Sequence, residues 1–329
     1  MITQKVEVSR KTVVFTVLFV LGLWFLFYIQ DLIIELFIAI LVMTILNPVV
    51  NFLSKFRVPR PLSVLVTYVF LIIILAVLII NLAPPLIEQS TNFVNGLPVY
   101  IESLGLAPEV GDRAVEDFLS QVGVLPAHFA QFALSIFSNI IEVITVLIFA
   151  FYLLVSRPNL DDQVAFVLGE NKKAKIRDIV NKLEARLGGW ARGQLLLMFM
   201  VGFSTYIGLR LLGVPYALPL SILAGLLEIV PYVGPIIAAI PAVIIGFGTS
   251  PVIGVATTAL AFLIQQIENY IFVPNIMQRS VGLSSLIVLL SLAIGFRLFG
   301  VVGAIISIPA VLTIQVLGKE LALDSKKLA

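Results

Sequence analysis

Glu228-Ile-Val-Pro-Tyr-Val-Gly-Pro-Ile-Ile-Ala-Ala-Ile-Pro241 is the stretch from which the rest of the chain can be read. It sits in an uncharged apolar run from Ile229 to Ile267, far too long for one membrane crossing, and Pro231, Gly234, Pro235 and Pro241 interrupt it. A transmembrane helix takes roughly 20 apolar residues. The pieces beside the break, Leu218 to Val230 and Ile236 to Phe247, hold about 12 each. Hydrocarbon offers no partner to a free N–H or C=O, so broken backbone survives there only when buried in protein or lining a watery cavity. Short apolar segments interrupted by Pro and Gly therefore point to a transport site. Glu228, at the break, gives that site a titratable group.

The whole composition agrees with a membrane setting. Hydrophobic residues make up 60% of the chain, charged residues only 12%, and the mean hydropathy is +1.11. A soluble domain carries about 25% charged residues, so the chain reads as an integral membrane protein. Cysteine is absent, which excludes disulfides, thiolate metal sites and Cys nucleophiles. His128 is the one histidine, too little for a His-based metal centre. The net charge of +2 is too small to suggest nucleic acid as a partner. The first apolar run is long and lacks a small-residue cleavage site, so no cleavable signal peptide is expected. Enzyme readings find no Gly-x-Ser-x-Gly elbow, no His-Glu-x-x-His motif and no phosphate-cradling Gly-x-x-x-x-Gly-Lys loop. No enzyme activity and no cofactor are expected.

In chain order, apolar spans are expected at Val13 to Ile29, Leu32 to Val50 after a tight turn at Gln30-Asp31, and Leu62 to Leu82. Further spans follow at Phe132 to Val155, Gln194 to Leu212 and Val252 to Tyr270, with hairpins at 218–248 and about Ser285 to Leu317. The fold class is an all-α polytopic membrane protein with about five full transmembrane helices plus two Pro/Gly-broken hairpins, about eight membrane segments. The corresponding division is 1–83 for the first three spans, 84–131 for an acidic extracytoplasmic insert, and 132–155 for the fourth span. A cytoplasmic amphipathic insert takes 156–193, a transport core 194–317, and a cytoplasmic tail 318–329. Lys and Arg accumulate in cytoplasmic loops. With the N-terminus inside and alternating spans, only Arg113, Arg210 and Arg297 of the 21 basic residues fall outside or within the membrane. Both termini are thus expected in the cytoplasm, with the chain in the cytoplasmic (inner) membrane.

Ile176, Ile179, Val180, Leu183 and Leu187 recur at helical spacing among Lys and Arg, with Gly188-Gly189 expected to end that helix. Such a helix packs on its own subunit, lies at anionic headgroups or binds a partner. An internal echo joins the hairpins, because Ile240-Pro-Ala-Val243 recurs as Ile308-Pro-Ala-Val311.

Trp190-Ala-Arg-Gly-Gln194, Gly213-Val-Pro215, Glu228-Ile-Val-Pro-Tyr-Val-Gly-Pro235 and Ile240-Pro241 form one set of motifs. Glu268-Asn269, Pro274, Ile276 to Leu283 and Phe299-Gly300 to Pro309 continue it. In these motifs and their order the chain resembles the autoinducer-2 exporter (AI-2E) family of bacterial and archaeal permeases. Two positions depart from that pattern: Ser284-Ser285 stands where the family commonly has His-Pro or Asn-Pro, and Arg297 where a small or apolar residue is usual. The resemblance implies export of a small molecule, with autoinducer-2 as the namesake substrate, or Na⁺(Li⁺)/H⁺ antiport. It also implies a homo-oligomer, with a pentamer as the candidate state.

The residues themselves nominate a site. Glu228, a carboxylate at membrane depth, is the first candidate for proton exchange or Na⁺ binding; its bland alternative is a cap on the hairpin. Gln265, Glu268 and Asn269 share a helix face at i, i+3 and i+4 and can offer oxygens to a cation or hydrogen bonds to a polyol. Arg279 either pairs with Glu268 or Glu228 in a gate or anchors the positive side, and Tyr232 either meets substrate or sits at an interface. Pro231, Gly234, Pro235, Pro241 and Pro309 are expected to hold the helices open and expose backbone groups as ligands. Arg297, Glu35 and Glu142 are placed better at interfaces than inside. The leading expectation is ion-coupled export of a small polar solute, with antiport of Na⁺ or Li⁺ against H⁺ second. A membrane scaffold acting through Ile179 and Leu183 is the third.

Overall fold

The computed structural model describes residues 10–103, 140–169, 173–277 and 282–328. Arg279, His128 and the acidic insert beyond residue 103 lie outside the described residues. Everything described is helix, turn or short connection: α1 Arg10–Tyr28, α2 Gln30–Ser54, α3 Arg60–Ser103, α4 Ile140–Leu168 and α5 Lys173–Leu211 come first. They are followed by α6 Ala217–Leu227, α7 Val233–Thr249, α8 Pro251–Ile267, a π-helical turn Glu268–Phe272, α9 Val273–Met277 and α10 Ser285–Leu328. Among the described residues 7 helical stretches are long and apolar enough to cross a membrane. The chain is an all-α polytopic membrane protein. Leu, Ile, Val and Phe cover the outer faces of α1 and α3, as lipid contact demands.

The last of those stretches, Ser285–Glu320, is a hairpin. Its helix changes direction at Phe299 (φ −136°, ψ 21°) and Gly300 (φ 59°, ψ −141°), a conformation that a Cβ would strain. A Cβ on Gly303 would land on the Gly295 carbonyl oxygen, and one on Gly295 would land on the Gly303 carbonyl oxygen. Two residues that close in space, yet eight apart in a helical sequence, require the chain to fold back. The other hairpin is α6–α7. Its 11-residue first arm is about 16 Å long, half of a bilayer core.

Pro241 and Pro309 both lie inside helices, α7 and the second arm of α10, rather than at the breaks. Each removes one N–H without ending its helix. The breaks fall at residues 228–232 and 299–300, where left-handed φ values let the chain reverse. The tight turn expected at Gln30-Asp31 is a bend at Ile29 (φ −97°, ψ 15°). Ile29 N–H donates to the Phe25 carbonyl and Ile33 N–H to the Ile29 carbonyl, so hydrogen bonds flank the bend on both sides. Gly188-Gly189 does not end the amphipathic helix. α5 runs through both glycines, and Gly188 serves close contact instead, with its missing Cβ leaving room for the Thr44 carbonyl. The apolar stripe of that helix packs on its own chain: Ile176 is buried, and Leu187 joins Leu41, Trp190, Met277 and Ile308 in one core. Lys182 pairs with Glu320 at 2.7 Å, tying α5 to the end of α10.

Small residues set the crossings that position the site. On α5 and α6, Gly202 faces the Ser221 carbonyl and Gly225 faces the Met198 carbonyl, so the two backbones touch without side chains between them. On α7 and α8, Gly246 fits against Thr257 and Gly254 against Phe247. Ser250 caps α8, its Oγ accepting from Ile253 N–H at 3.2 Å, and Pro251 begins the helix.

Candidate functional site

The α6 helix ends at Leu227, leaving carbonyls without intrahelical partners. One of them is met from α5, where the buried Gln194 side chain donates to the Glu228 carbonyl at 2.7 Å. The chain then reverses through a γ-turn. Val233 N–H donates to the Pro231 carbonyl at 2.8 Å, and Tyr232 between them takes φ 67°, ψ −47°. A non-glycine residue there is strained by about 1–3 kcal/mol, a cost usually found at functional sites. Tyr232 is 40% exposed, and its hydroxyl bonds Ser285 Oγ at 3.1 Å, linking the turn of one hairpin to the start of the other. Gly234 follows because a Cβ there would strike the Leu227 carbonyl. Pro231 lines the cavity at the turn; Pro235, in the first turn of α7, lines the cavity on the other side.

Glu268 approaches the break from α8. It is the first residue of the π-helical turn, an irregularity that often marks functional sites in helices. Glu228 is 1% exposed and Glu268 4%, and their carboxyl groups are direct electrostatic neighbours. Gln265 Nε2 donates to Glu268 Oε2 at 3.1 Å. Glu228 Oε2 is buried with no hydrogen-bond partner among the described residues. Two like charges side by side in a buried setting repel strongly, so such a pair holds a proton or a cation between its members.

The pair lies between two cavities. One, of about 290 Å³, is lined by Thr205, Leu209, Pro235, Ala242, Thr257 and Gln265, together with Glu268. The other, of about 320 Å³, is lined by Trp190, Gln194, Tyr232, Asn269 and Met277, together with both Glu228 and Glu268. The first reaches toward the Leu211, Thr249 and Pro251 ends of the helices, the second toward the Met277 end. Glu268 borders both.

Of the residues nominated from sequence, Glu228, Pro231, Tyr232, Glu268 and Asn269 come together around the second cavity. Gln265 and Pro235 face the first, so Gln265 and Asn269 flank Glu268 from opposite sides rather than lining one surface. Gly234 is buried at the turn, and Pro241 and Pro309 are buried in helix interiors. Arg297 is exposed two residues before the second hairpin's turn, and Glu142 is exposed in the first turn of α4. Glu35 is half-buried in α2. Trp190 and Gln194 are site residues that the site reasoning missed. Their motif was visible, but nothing in it showed that α5 would lie against the break.

The family model described as AI-2E family transporter matches residues 13–322. The chain belongs to the AI-2E transporter family. Among its relatives, YueF of Bacillus subtilis is 28% identical over 309 residues, covering 87% of this chain and 83% of YueF. YrrI of the same organism is 27% identical, covering 90% of this chain and 88% of YrrI. YhhT of Escherichia coli K12 is 27% identical, covering 85% of this chain and 82% of YhhT. All three are named as candidate transport proteins, so family and relatives point to transport rather than to an enzyme. For an AI-2E family member, a buried acid pair between two cavities is the arrangement that calls for a mechanism.

Proposed function

We propose that this chain exports a small polar solute across the cytoplasmic membrane, coupled to an ion gradient at the Glu228–Glu268 pair. The carrying observation is that pair, buried where a broken hairpin meets a π-turn, with a cavity on each side. Each event that fills or empties the pair with a proton or Na⁺ changes its charge, and with it the electrostatic cost of opening toward one cavity or the other. Gln194 holds the broken backbone in place, and Tyr232 ties the first hairpin to the second. For an autoinducer-2-like polyol the second cavity offers donors and acceptors on Gln194, Tyr232 and Asn269, set in a lining that is otherwise largely apolar. Both termini are cytoplasmic in this reading, which follows the Lys and Arg distribution. The second cavity then opens inward and the first outward. Assembly as a homo-oligomer rests on the family resemblance.

The unpartnered Glu228 Oε2 favours a second reading, antiport of Na⁺ or Li⁺ against H⁺ with the cation itself as cargo. One experiment separates the two. Purified protein is placed in liposomes with a pH-sensitive dye inside, and a Na⁺ or Li⁺ gradient is imposed on wild type and Glu228→Gln. Cation-driven proton flux that the substitution removes makes the chain an antiporter. Absence of flux, with solute counterflow that still needs Glu228, makes it a solute exporter. Wild-type activity of Glu228→Gln in both assays rejects the pair as the coupling site.

A further inference from the structure

A third cavity lies away from the acid pair, at the end of the bundle that carries most of the Lys and Arg. It holds about 520 Å³, opens to the surface and is lined by α2, α3, α4 and α5. Arg60, Arg157 and Arg192 line it, against a single carboxylate, Glu184. Glu184 is already fully engaged: Arg157 Nε donates to its Oε2 at 2.6 Å, and the Asn47 amide donates to its other oxygen. Among the described residues the other two guanidinium groups bond only neutral acceptors. Arg60 donates from Nε to the Leu154 carbonyl at 2.8 Å, from Nη1 to Asn51 at 2.8 Å and from Nη2 to Asn47 at 2.7 Å. Arg192 donates to the Thr44 carbonyl at 2.7 Å.

Those bonds fix the directions of the guanidinium groups without cancelling their charge. Among the described residues the lining sets three guanidinium groups against one carboxylate, an excess of two positive charges around a space far larger than the roughly 30 Å³ of a water molecule. We propose that this cavity binds a phosphate-bearing anion, supplied by the headgroup of an anionic lipid or by a free phosphate compound. Planar guanidinium forks suit phosphate oxygens, and basic pockets between transmembrane helices on this side of a membrane suit anionic headgroups. Because α2, α3, α4 and α5 all contribute, an anion here clamps α2, α3 and α4 to α5, the helix from which Trp190 and Gln194 reach the proposed transport site.

The test uses the full chain in a neutral detergent, titrated with dioctanoyl phosphatidylglycerol, zwitterionic dioctanoyl phosphatidylcholine or inorganic phosphate, with the thermal midpoint as readout. Saturable stabilisation by phosphatidylglycerol, at an apparent affinity at least about tenfold above phosphatidylcholine, is expected. Competition by inorganic phosphate assigns the site to the phosphate group alone; lack of competition assigns it to the lipid. Arg192→Gln should weaken the response about tenfold or more, whereas Lys55→Gln, at the same end but outside the cavity, should leave it unchanged. Arg192→Gln also loses the bond to Thr44, so a second variant guards against simple unfolding. Asn51→Asp puts a carboxylate 2.8 Å from Arg60 Nη1, an anion built into the chain. It should raise the midpoint without ligand and abolish the response to phosphatidylglycerol. Equal responses to the two lipids, or a wild-type response from Asn51→Asp, overturns the proposal.

Discussion

Glu228 and Glu268 are the most informative place to perturb the molecule, because their charges can be reasoned about jointly. Two unit charges about 4 Å apart, at an effective dielectric of about 20, repel by about 4 kcal/mol. That is roughly a thousandfold in population, so the doubly charged pair is rare, and the proposed coupling treats the pair as one unit with one exchangeable occupant. Glu228→Gln keeps the shape and puts a fixed neutral amide where the exchangeable acid stood; Glu268→Gln does the same from the other side. Neither removes side-chain volume, and each leaves a donor facing the remaining carboxylate. Thermal stability should therefore stay within about 1 kcal/mol of wild type. Transport should fall to the leak of protein-free vesicles in either single variant, and the double variant should lose no more than either single. Residues that act as a unit are non-additive in this way. Flux is measured in liposomes under whichever gradient drives the wild type. Two partial losses that multiply in the double variant would show two independent sites and refute the pair.

Three further perturbations probe the frame around the pair. Gly303→Ala pushes a methyl onto the Gly295 carbonyl, so the arms of the second hairpin must part. The overpacking cost of about 1–3 kcal/mol should exceed the helix-propensity gain of at most about 1 kcal/mol, whereas Gly22→Ala, with nothing within 4 Å, should stabilise. Thermal midpoints of the two variants decide this. Tyr232→Gly relieves about 1–3 kcal/mol of backbone strain and loses a hydroxyl bond of about 0.5–1.5 kcal/mol. It should keep or gain stability while slowing transport; Tyr232→Phe, which loses the bond alone, should be slightly less stable. Gln194→Ala leaves the Glu228 carbonyl without its buried donor, and a loss of about 1–3 kcal/mol is expected in thermal unfolding.

The membrane class, the order of the segments and the position of the first hairpin were legible in the sequence because they follow from local hydropathy and from the cost of unpaired backbone in lipid. Glu228 and Glu268 were each legible as acids interrupting apolar sequence. Their meeting was not, since 40 residues separate them and only the α5–α6 and α7–α8 crossings bring them together. The π-turn at Glu268 was hidden for a similar reason. It changes the register by one residue with no Pro or Gly among residues 268–272 and only Pro274 just beyond to mark it, and so sends Gln265 and Asn269 to different cavities. Prolines misled in the opposite direction. Pro241 and Pro309 look like breaks, yet a buried helix tolerates one missing N–H when neighbouring helices pack around it.

The two hairpins correspond more closely than their short sequence echo implies. In each, a residue with left-handed φ stands nine positions ahead of the proline of Ile-Pro-Ala-Val: Tyr232 before Pro241, and Gly300 before Pro309. In each, a glycine soon after the turn is pressed against a carbonyl of the preceding arm, Gly234 on Leu227 and Gly303 on Gly295. A positive-φ reversal thus stands at the same distance from the proline in both, with different ψ (−47° at Tyr232, −141° at Gly300), once on the residue best suited to positive φ and once not. Glycine at 300 adopts the reversal freely. Tyrosine at 232 holds its own γ-turn under strain and uses its side chain to reach Ser285 beside the second cavity. A fold that required only a reversal would be served by glycine at both places. Tyrosine at the turn nearest the acid pair is therefore best explained by its contact, which ties one hairpin to the other beside that pair.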